Sequence, residues 1–310
     1  MKGHMKAGDG EFLKNWEDDS HNPLIEPPRP EFLLGDPATV RPQDSPDGNW
    51  HLFANTLRGI HHFTSYDGLN WHRRSKLFPG WRANVYIEDG TYFLLYELFT
   101  VPQFRSHVAM RTSRDLESWS EPVTLLEPAL PWEGSISRNN GNPCLVRGDS
   151  EYMLYYSAAV VFFTDLGFCE PRHIGLATSG SIDGPYEKRS DPIISPSPDE
   201  RYRNKGAGAI KVVRCEGRPY YYGFNNGMYT DDDGRTRSAI LLLSSEDGVS
   251  WEKVYDEPVV RPSGDGWKRA LVYQLDVKRV GDEAWLYYNA RSGWRFGREC
   301  IGLAKCRLEG

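Results

Sequence analysis

Long apolar runs, a signal-like N-terminus and an excess of positive charge are all missing from this sequence. No apolar run in its 310 residues is long enough to cross a membrane. Residues 1–20 contain no apolar core of the kind that marks a signal peptide. The formal net charge of −6 gives the surface as a whole no attraction for nucleic acid. We therefore predict a cytoplasmic protein that binds neither membrane nor nucleic acid.

The cysteines are few, and their spacing fits neither a disulfide framework nor a zinc site. They are odd in number, scattered, and without a CxxC pair. The five are Cys144, Cys169, Cys215, Cys300 and Cys306. Reduced thiols fit the cytoplasmic prediction. We predict no cofactor, although a structural divalent cation such as calcium stays open, and so does an oligomer.

A repeat is the strongest signal in the sequence. Four segments join a turn to an aromatic residue, namely 65–71 (SYDGLNW), 113–119 (SRDLESW), 181–186 (SIDGPY) and 245–251 (SEDGVSW). An Asp-Gly turn between strand-forming residues is typical of a β-hairpin. Strand-like runs precede the turns, as in 92–96 (YFLLY) and 152–156 (YMLYY), and a fifth such run is 285–288 (WLYY). Units of about four antiparallel strands, spaced by roughly 40–50 residues or somewhat more, predict the blades of a β-propeller.

The N-terminal segment is predicted to close the ring. The fifth unit lacks its last extended piece, whereas residues 22–25 (NPLI) resemble the last pieces of two other units, 191–194 (DPII) and 257–260 (EPVV). Supplying this strand from the N-terminus leaves no open sheet edge at the seam. We predict one all-β domain over 1–310, a five-bladed propeller of four-stranded antiparallel blades, with 1–20 as a flexible N-terminal extension.

Propeller geometry predicts which residues meet. The start of each blade's first strand and the end of its second strand share one mouth of the central channel. Aligning the units on their second strands brings five inner-strand starts to this mouth, at Asp36, Arg82, Asn142, about Gly208, and Gln274. The ends of the second strands add Asn55, Glu97, Ser157, Asn225, Asn289 and Arg291, while Lys205, Arg269 and Tyr273 lie just ahead of inner strands.

Residues 22–25, followed by Gly35-Asp36-Pro37, resemble the opening of the five-bladed propeller glycosidases. These comprise glycoside hydrolase family 43 and its relatives in families 32, 62, 68, 117 and 130. The sequence resembles family 43 or 117 most. At the level of the repeated blades, the resemblance covers nearly the whole chain. It implies that Asp36 is the general base or nucleophile. Two positions depart from family 43. Asn142 replaces the Asp of the third blade, and 205–209 (KGAGA) replaces the Glu-Gly-Pro of the fourth.

A glycosidase needs two carboxyl groups that flank the scissile bond, one as acid and one as base or nucleophile. Asp36 is the first candidate, and its alternative role is a turn that initiates the strand. Glu97, at the end of the second strand of blade two, is the leading candidate for the second carboxyl, and Glu133 follows. The alternatives are a carboxylate paired with an arginine for Glu97 and a solvated loop residue for Glu133.

Basic and aromatic residues gather at the same mouth. Substrate contacts are predicted for Trp81, Arg82, Asn142, Lys205, Arg269, Tyr273, Gln274 and Arg291. The planar guanidinium of arginine suits carboxylate, sulfate or phosphate groups. An anionic sugar or a phosphate co-substrate would explain the cations, and pairing with the carboxylates of the mouth would explain them equally well. The Phe-rich insertion 160–171 is predicted to form a lid, wall or contact surface beside blade three.

These features predict an exo-acting, inverting glycoside hydrolase whose partner is an oligosaccharide. Asp36 would activate water, and Glu97 or Glu133 would protonate the leaving oxygen. One alternative is a glycoside phosphorylase resembling family 130, in which the arginines and Lys205 hold phosphate. The other is a sugar-binding propeller without catalysis, because Asn142 and 205–209 stand where the family has acidic residues.

Overall fold

The computed structural model describes residues 5–6, 13–100, 105–134, 138–217 and 219–308, and within these ranges the regular structure is almost entirely β. Two short strands come first, β1 (Met5–Lys6) and β2 (Glu17–Asp18). Blade one consists of β3 (Gly35–Val40), β4 (Trp50–Thr56), β5 (Gly59–Ser65) and β6 (His72–Lys76). Blade two consists of β7 (Trp81–Glu88), β8 (Thr91–Thr100), β9 (Arg105–Ser113) and β10 (Val123–Leu126).

The other three blades repeat this pattern. Blade three consists of β11 (Asn140–Arg147), β12 (Tyr152–Phe163), β13 (Phe168–Ser179) and β14 (Glu187–Lys188). Blade four consists of β15 (Gly206–Glu216), β16 (Tyr221–Thr230), β17 (Thr236–Ser245) and β18 (Glu252–Lys253), with β1 parallel to β15. Blade five consists of β19 (Leu271–Val280), β20 (Glu283–Arg291) and β21 (Glu299–Arg307), with β2 as its outer strand. The predicted five-bladed, all-β propeller is confirmed.

The core lies between neighbouring blades. Successive side chains of a strand point to opposite faces, so each blade presents apolar residues to both of its neighbours. Leu52 of blade one packs with Tyr287 and Ile301 of blade five, and all three are fully buried. Every described blade is therefore stabilised by burial against the next one, at about 25 cal/mol per Å² of apolar surface. Among the described residues, there is no helix with the length and apolarity needed to span a membrane.

The ring closes through the N-terminal segment. β2 pairs antiparallel with β21, and Ile25 then forms a bridge with Ile301. Ile194 and Val260 form the equivalent bridges in blades three and four. Residues 22–25 thus do in blade five what 191–194 and 257–260 do in their own blades, and closure by an N-terminal strand is confirmed.

Part of the N-terminal extension belongs to the ring. Leu13 is fully buried in the cluster between blades four and five, and the indole Nε1 of Trp16 donates to the Leu13 carbonyl at 2.7 Å. β2 follows at once. Residues 13–20, predicted to belong to a flexible extension, are therefore attached to the ring, because Leu13 and Trp16 pack between blades four and five and β2 pairs with β21.

Candidate active site

Each inner strand has a bulge at the mouth of the channel. In blade one the register of β3 against β4 shifts between Gly35 and Ala38, and the other four inner strands shift at the corresponding place. Four bulges hold a residue with positive φ: Asp36 (58°), Arg82 (57°), Asn142 (47°) and Gly208 (57°). Such a conformation costs energy in any residue but glycine and is concentrated at binding and catalytic sites. The bulges break the alternation of the strands and re-aim these residues at the mouth.

Amide side chains from the neighbouring blade hold the bulges in place. Oδ1 of Asn289 accepts a hydrogen bond from the backbone N–H of Asp36 at 3.0 Å. Oδ1 of Asn55 accepts one from the backbone N–H of Arg82 at 2.7 Å. These bonds satisfy donors that the bulge removes from the strand ladder. The positions of these two bulges are therefore set by the preceding blade of the ring as well as by their own.

The mouth opens into a cavity of about 520 Å³, within the range of roughly 300–1,000 Å³ typical of small-molecule sites. Seven residues with a predicted site role line it: Asp36, Trp81, Arg82, Asn142, Tyr273, Gln274 and Arg291. They come from blades one, two, three and five. The alignment of blades by their second strands therefore brought together the residues of one cavity, and their individual roles stay predictions.

Glu97 lies below the cavity lining and forms a buried ion pair. Its side chain is fully buried, and Oε2 accepts a hydrogen bond from Nη1 of Arg82 at 2.6 Å. A Cβ on Gly141 would lie 2.0 Å from Oε2, so the backbone of blade three closes over the carboxylate. The geometry corresponds to the alternative left open by the sequence, a carboxylate paired with an arginine.

Glu133 lies elsewhere, against blade three. Its side chain is fully buried, and it accepts hydrogen bonds from the backbone N–H groups of Ala129 at 2.6 Å and Leu130 at 2.7 Å. It also pairs with Lys188. Glu133 is neither a solvated loop residue nor part of the cavity lining, because its own loop and β14 enclose it.

Lys205 and Arg269 also lie outside the cavity lining. Both are exposed. The backbone N–H of Lys205 donates to the Met228 carbonyl at 3.1 Å, and the Arg269 guanidinium lies 5.5 Å from the centre of the Trp294 ring. Their side chains precede inner strands, as the sequence indicated, but they remain on the surface.

Two glutamates that were not predicted from the sequence line the cavity with Asp36. Glu170 lies in β13 of blade three, and Glu299 is the first residue of β21 in blade five. Third strands start at the mouth where second strands end, so the topological rule applied to first and second strands would also have found Glu299, which pairs with Arg291. Glu170 lies further out, in the insertion 160–171. A Cβ on Gly35 would lie 2.5 Å from Oε1 of Glu299, which places that carboxyl against the backbone beside Asp36.

The pKa values of the three cavity carboxyls are raised. Burial is the largest cause for Asp36, and the positive charge of Arg82 opposes it. Burial raises the pKa of Glu170 to about 7, with Arg82 opposing and the Asp36 carboxylate adding to the shift. Burial also raises the pKa of Glu299 to about 8, with Asp36 adding and Arg291 opposing. One cavity can therefore hold a protonated and an ionised carboxyl near neutral pH, which general acid–base catalysis requires.

The insertion 160–171 forms the hairpin between β12 and β13 and is a wall of the cavity. Residues 166–171, including Glu170, line it. Near the tip, Asp165 accepts hydrogen bonds from the backbone N–H of Thr236 at 2.8 Å and from its Oγ1 at 2.6 Å. Phe163 packs in an apolar cluster with Tyr273. Blades four and five therefore fix the hairpin, and with it the position of Glu170.

Arg291 has donor capacity left for a ligand. Its side chain is buried at 4% exposure, and the guanidinium lies 4.9 Å from the centre of the Phe168 ring. Nη2 reaches the Arg295 carbonyl at 3.4 Å, whereas Nε meets no acceptor among the described residues. A buried donor without an acceptor is costly, so a sugar hydroxyl, carboxylate or phosphate at this place would be bound favourably.

Acidic clusters elsewhere are occupied by basic side chains. At the hairpin tip 231–233, Nη2 of Arg237 contacts Asp233 at 2.9 Å and Arg201 contacts Asp232 at 3.6 Å. Within the ranges that the structure describes, no group of three His, Cys, Asp or Glu side chains is placed to hold a metal ion. The absence of a cofactor stays a prediction.

The fold is that of the five-bladed propeller glycosidases, with a carboxyl-lined cavity at one mouth of the channel. Solved structures of such proteins superpose on nearly the entire chain. A protein from Parabacteroides distasonis assigned to the glycoside hydrolases has a TM-score of 0.70 and 14% sequence identity, covering 98% of this chain and 99% of its own.

Two further structures have the same fold. The catalytic domain of a family 62 α-L-arabinofuranosidase from Coprinopsis cinerea has a TM-score of 0.69 and 17% identity, covering 94% of this chain and 96% of its own. A β-1,2-mannobiose phosphorylase from Listeria innocua has a TM-score of 0.63 and 14% identity, covering 95% and 97%. No family model and no curated protein sequence matches the chain. At these identities the likeness establishes the fold, and the assignment to family 43 or 117 stays a prediction.

Proposed function

We propose that the protein is a glycoside hydrolase that removes a terminal sugar with inversion of configuration. The observation that carries this proposal is the meeting of Asp36, Glu170 and Glu299 in one cavity. Glycoside hydrolysis needs one carboxyl that donates a proton and one that accepts a proton. The fold of the similar structures supports the same chemistry.

In the proposed reaction Asp36 is the general base and Glu170 the general acid. Asp36 takes a proton from water as the water oxygen bonds to the anomeric carbon. The bond from that carbon to the leaving oxygen breaks, and Glu170 delivers its proton to this oxygen. Before the next turnover, Asp36 releases the proton it gained to solvent, and Glu170 takes up a proton to replace the one it donated.

Glu170 replaces the two acids proposed from the sequence. Glu97 is occupied by Arg82, and Glu133 lies outside the cavity lining. Glu299 is the other candidate, but Nδ2 of Asn289 donates to its Oε1 at 2.6 Å, and the same amide holds the Asp36 backbone. Glu299 therefore enters from the side of Asp36. Glu170 is carried separately by the β12–β13 hairpin of blade three, which reaches over to blades four and five. A glycosidase needs its acid and its base on two sides of the scissile bond, and the separate attachment of Glu170 suits it to the acid.

Exo action fits the shape of the cavity. Asn142, Gln274 and Asn289 line its floor, and all three are buried. With the hairpin residues 166–171 as a wall beside this floor, the cavity suits the end of a glycan better than its middle. Inversion rests on the family resemblance, and NMR detection of the anomer released first would test it.

A leaving-group series tests the roles. With aryl glycosides of arabinofuranose, xylose, galactose, glucose and mannose, Glu170→Gln should lose about 10²–10⁴-fold in kcat for poor leaving groups. It should lose little with 2,4-dinitrophenol, which needs no protonation. Glu299→Gln is the matched variant and should show no such dependence on the leaving group. The opposite pattern would make Glu299 the acid, and sugar binding without turnover in the wild type would remove the hydrolase proposal.

A phosphorylase is the second candidate, because Arg82, Arg291 and Arg295 line the same cavity. In that case phosphate would take the place of water, and the product would be a sugar 1-phosphate. Turnover measured with and without inorganic phosphate separates the two reactions. Arg82 is already paired with Glu97, which leaves Arg291 and Arg295 for an anion and favours the hydrolase.

A further inference from the structure

Large apolar side chains are exposed around the mouth of the cavity. Phe32, Leu57 and Phe99 line it and are 51%, 55% and 41% exposed. Trp81 and Phe168 line it as well and are half-buried. Soluble proteins rarely leave such groups together in water unless a ligand or partner covers them.

The side chains that line the cavity differ in polarity between its floor and its rim. Three of its polar side chains are deep, with Asn142 at 5%, Gln274 at 6% and Arg291 at 4% exposure. Phe32, Leu57 and Phe99 are exposed at the rim, as is Arg295. The three apolar side chains cannot hydrogen-bond to a sugar hydroxyl. The floor therefore offers hydrogen-bond partners to the hydroxyls of a sugar ring, whereas Phe32, Leu57 and Phe99 offer contacts to an apolar group.

One turn at the rim differs in composition from the turns at the far face. Two-residue turns at the far face carry polar residues and glycine, as in Asp89-Gly90 between β7 and β8. The turn between β4 and β5, at the mouth, is Leu57-Arg58. Trp81 and Phe99 contact each other edge to face at 5.0 Å, so part of the rim is preorganised in the absence of ligand.

We propose that the substrate is a glycoside of an apolar alcohol or phenol, whose apolar leaving group is held by Phe32, Leu57 and Phe99 while the sugar occupies the floor. This inference rests on the proposed function, in which the leaving oxygen points out of a closed cavity. A second sugar at the rim could stack on Phe32 or Phe99 but would find no hydrogen-bond partner on these side chains. An alkyl or aryl group would instead bury apolar surface against them.

Paired ligands test the subsite without requiring turnover. The octyl and methyl glycosides of glucose, galactose and xylose are titrated by calorimetry into the Asp36→Asn protein, below the micelle-forming concentration of the octyl compounds. For at least one sugar, we expect the octyl glycoside to bind at least tenfold more tightly. In Leu57→Ser and Phe99→Ser backgrounds, the octyl affinity should fall at least threefold and the methyl affinity should stay within twofold.

Tyr66→Ser is the matched control. Tyr66 is 87% exposed and lies outside the cavity lining, so its removal should leave both affinities unchanged. Equal affinity of octyl and methyl glycosides, or equal loss in the Tyr66 variant, would overturn the inference. So would a wild-type dimer in sedimentation that Leu57→Ser makes monomeric, or binding to phosphatidylcholine vesicles without a sugar, because a second copy or a lipid surface would then explain the rim.

The same measurements separate this inference from the proposed function. An octyl preference without turnover of any aryl glycoside would support the apolar subsite and remove the hydrolase. Turnover without an octyl preference would support the hydrolase and remove the subsite.

Discussion

The side-chain oxygen of Asn289 accepts the backbone N–H of Asp36 at 3.0 Å, and its nitrogen donates to Glu299 at 2.6 Å. One amide of blade five therefore fixes both the bulge that presents Asp36 and a carboxyl beside it. Asp36 has a φ of 58°, so the presentation of its side chain depends on a strained backbone. A test of Asp36 therefore has to remove its carboxylate while keeping its backbone conformation.

Asp36→Asn is expected to reduce kcat by about 10²–10⁴-fold, the usual contribution of a general base. Asparagine tolerates positive φ, and Asn142 already does so at 47° in blade three, so the fold should be retained. Circular dichroism and the thermal midpoint report the fold, and steady-state rates report the chemistry. Near wild-type turnover in the folded variant would show that Asp36 is not the base.

The pH dependence of kcat/KM should have a basic limb near pH 7. Burial raises the pKa of Glu170 to about 7, and an acid must be protonated to act, so activity should fall as pH rises through this value. Activity should also fall at low pH, where Asp36 becomes protonated. With a phenyl glycoside, whose leaving group needs protonation, the basic limb should vanish from the residual activity of Glu170→Gln and persist in Glu299→Gln. Its persistence in the Glu170 variant would contradict the assignment.

Glu97→Gln and Glu133→Gln are a matched pair of buried ion-pair variants. Each leaves a partly buried cation without its carboxylate, and breaking a fully buried pair costs about 3–5 kcal/mol, which is the upper limit expected here. Urea unfolding should show this loss for both. Only Glu97→Gln should also lower kcat, because its partner Arg82 lines the cavity beside Asp36. A loss of activity in folded Glu133→Gln would restore the role that the sequence suggested for Glu133.

Gly35→Ala should impair the site through steric overlap, without removing any functional group. A Cβ there would lie 2.5 Å from Oε1 of Glu299 and 2.7 Å from Nδ2 of Asn289, so both side chains must move. A displacement of about 1 Å can cost about 10²-fold in rate, and we expect a fall in kcat of that order. Gly180→Ala is the control, because its Cβ would meet nothing within 4 Å. Equal rates for the two variants would show that Glu299 and Asn289 do not position the reaction.

The fold could be predicted because its signals are local. The turn at 65–71 is one example: Oδ1 of Asp67 accepts the backbone N–H groups of Leu69 at 2.9 Å and Asn70 at 2.8 Å. Such a turn needs only neighbouring residues and therefore leaves a motif in the sequence. The resemblance of 22–25 to 191–194 and 257–260 was equally local, and it was enough to predict how the ring closes.

The site could be predicted only in part. The topological rule brought Asp36, Arg82, Asn142 and Gln274 to one cavity, because the position of a strand end follows from the order of strands. It did not reveal that Glu97 is buried with Arg82, since a carboxylate at a strand end looks the same in a sequence whether it faces solvent or a guanidinium. Glu170 was missed because it lies in an insertion with no counterpart in the other blades.

The sequence by itself determined a ring of five antiparallel blades, the N-terminal strand that closes it, and the mouth at which Asp36 lies. Only the tertiary structure decided which carboxyls share the cavity with Asp36, and that the pKa values of Glu170 and Glu299 are about 7 and 8. The physical reason is the range of the interactions. Turns and strand patterns are set by adjacent residues, whereas burial and charge–charge repulsion depend on side chains that belong to different blades and meet only when the ring is closed.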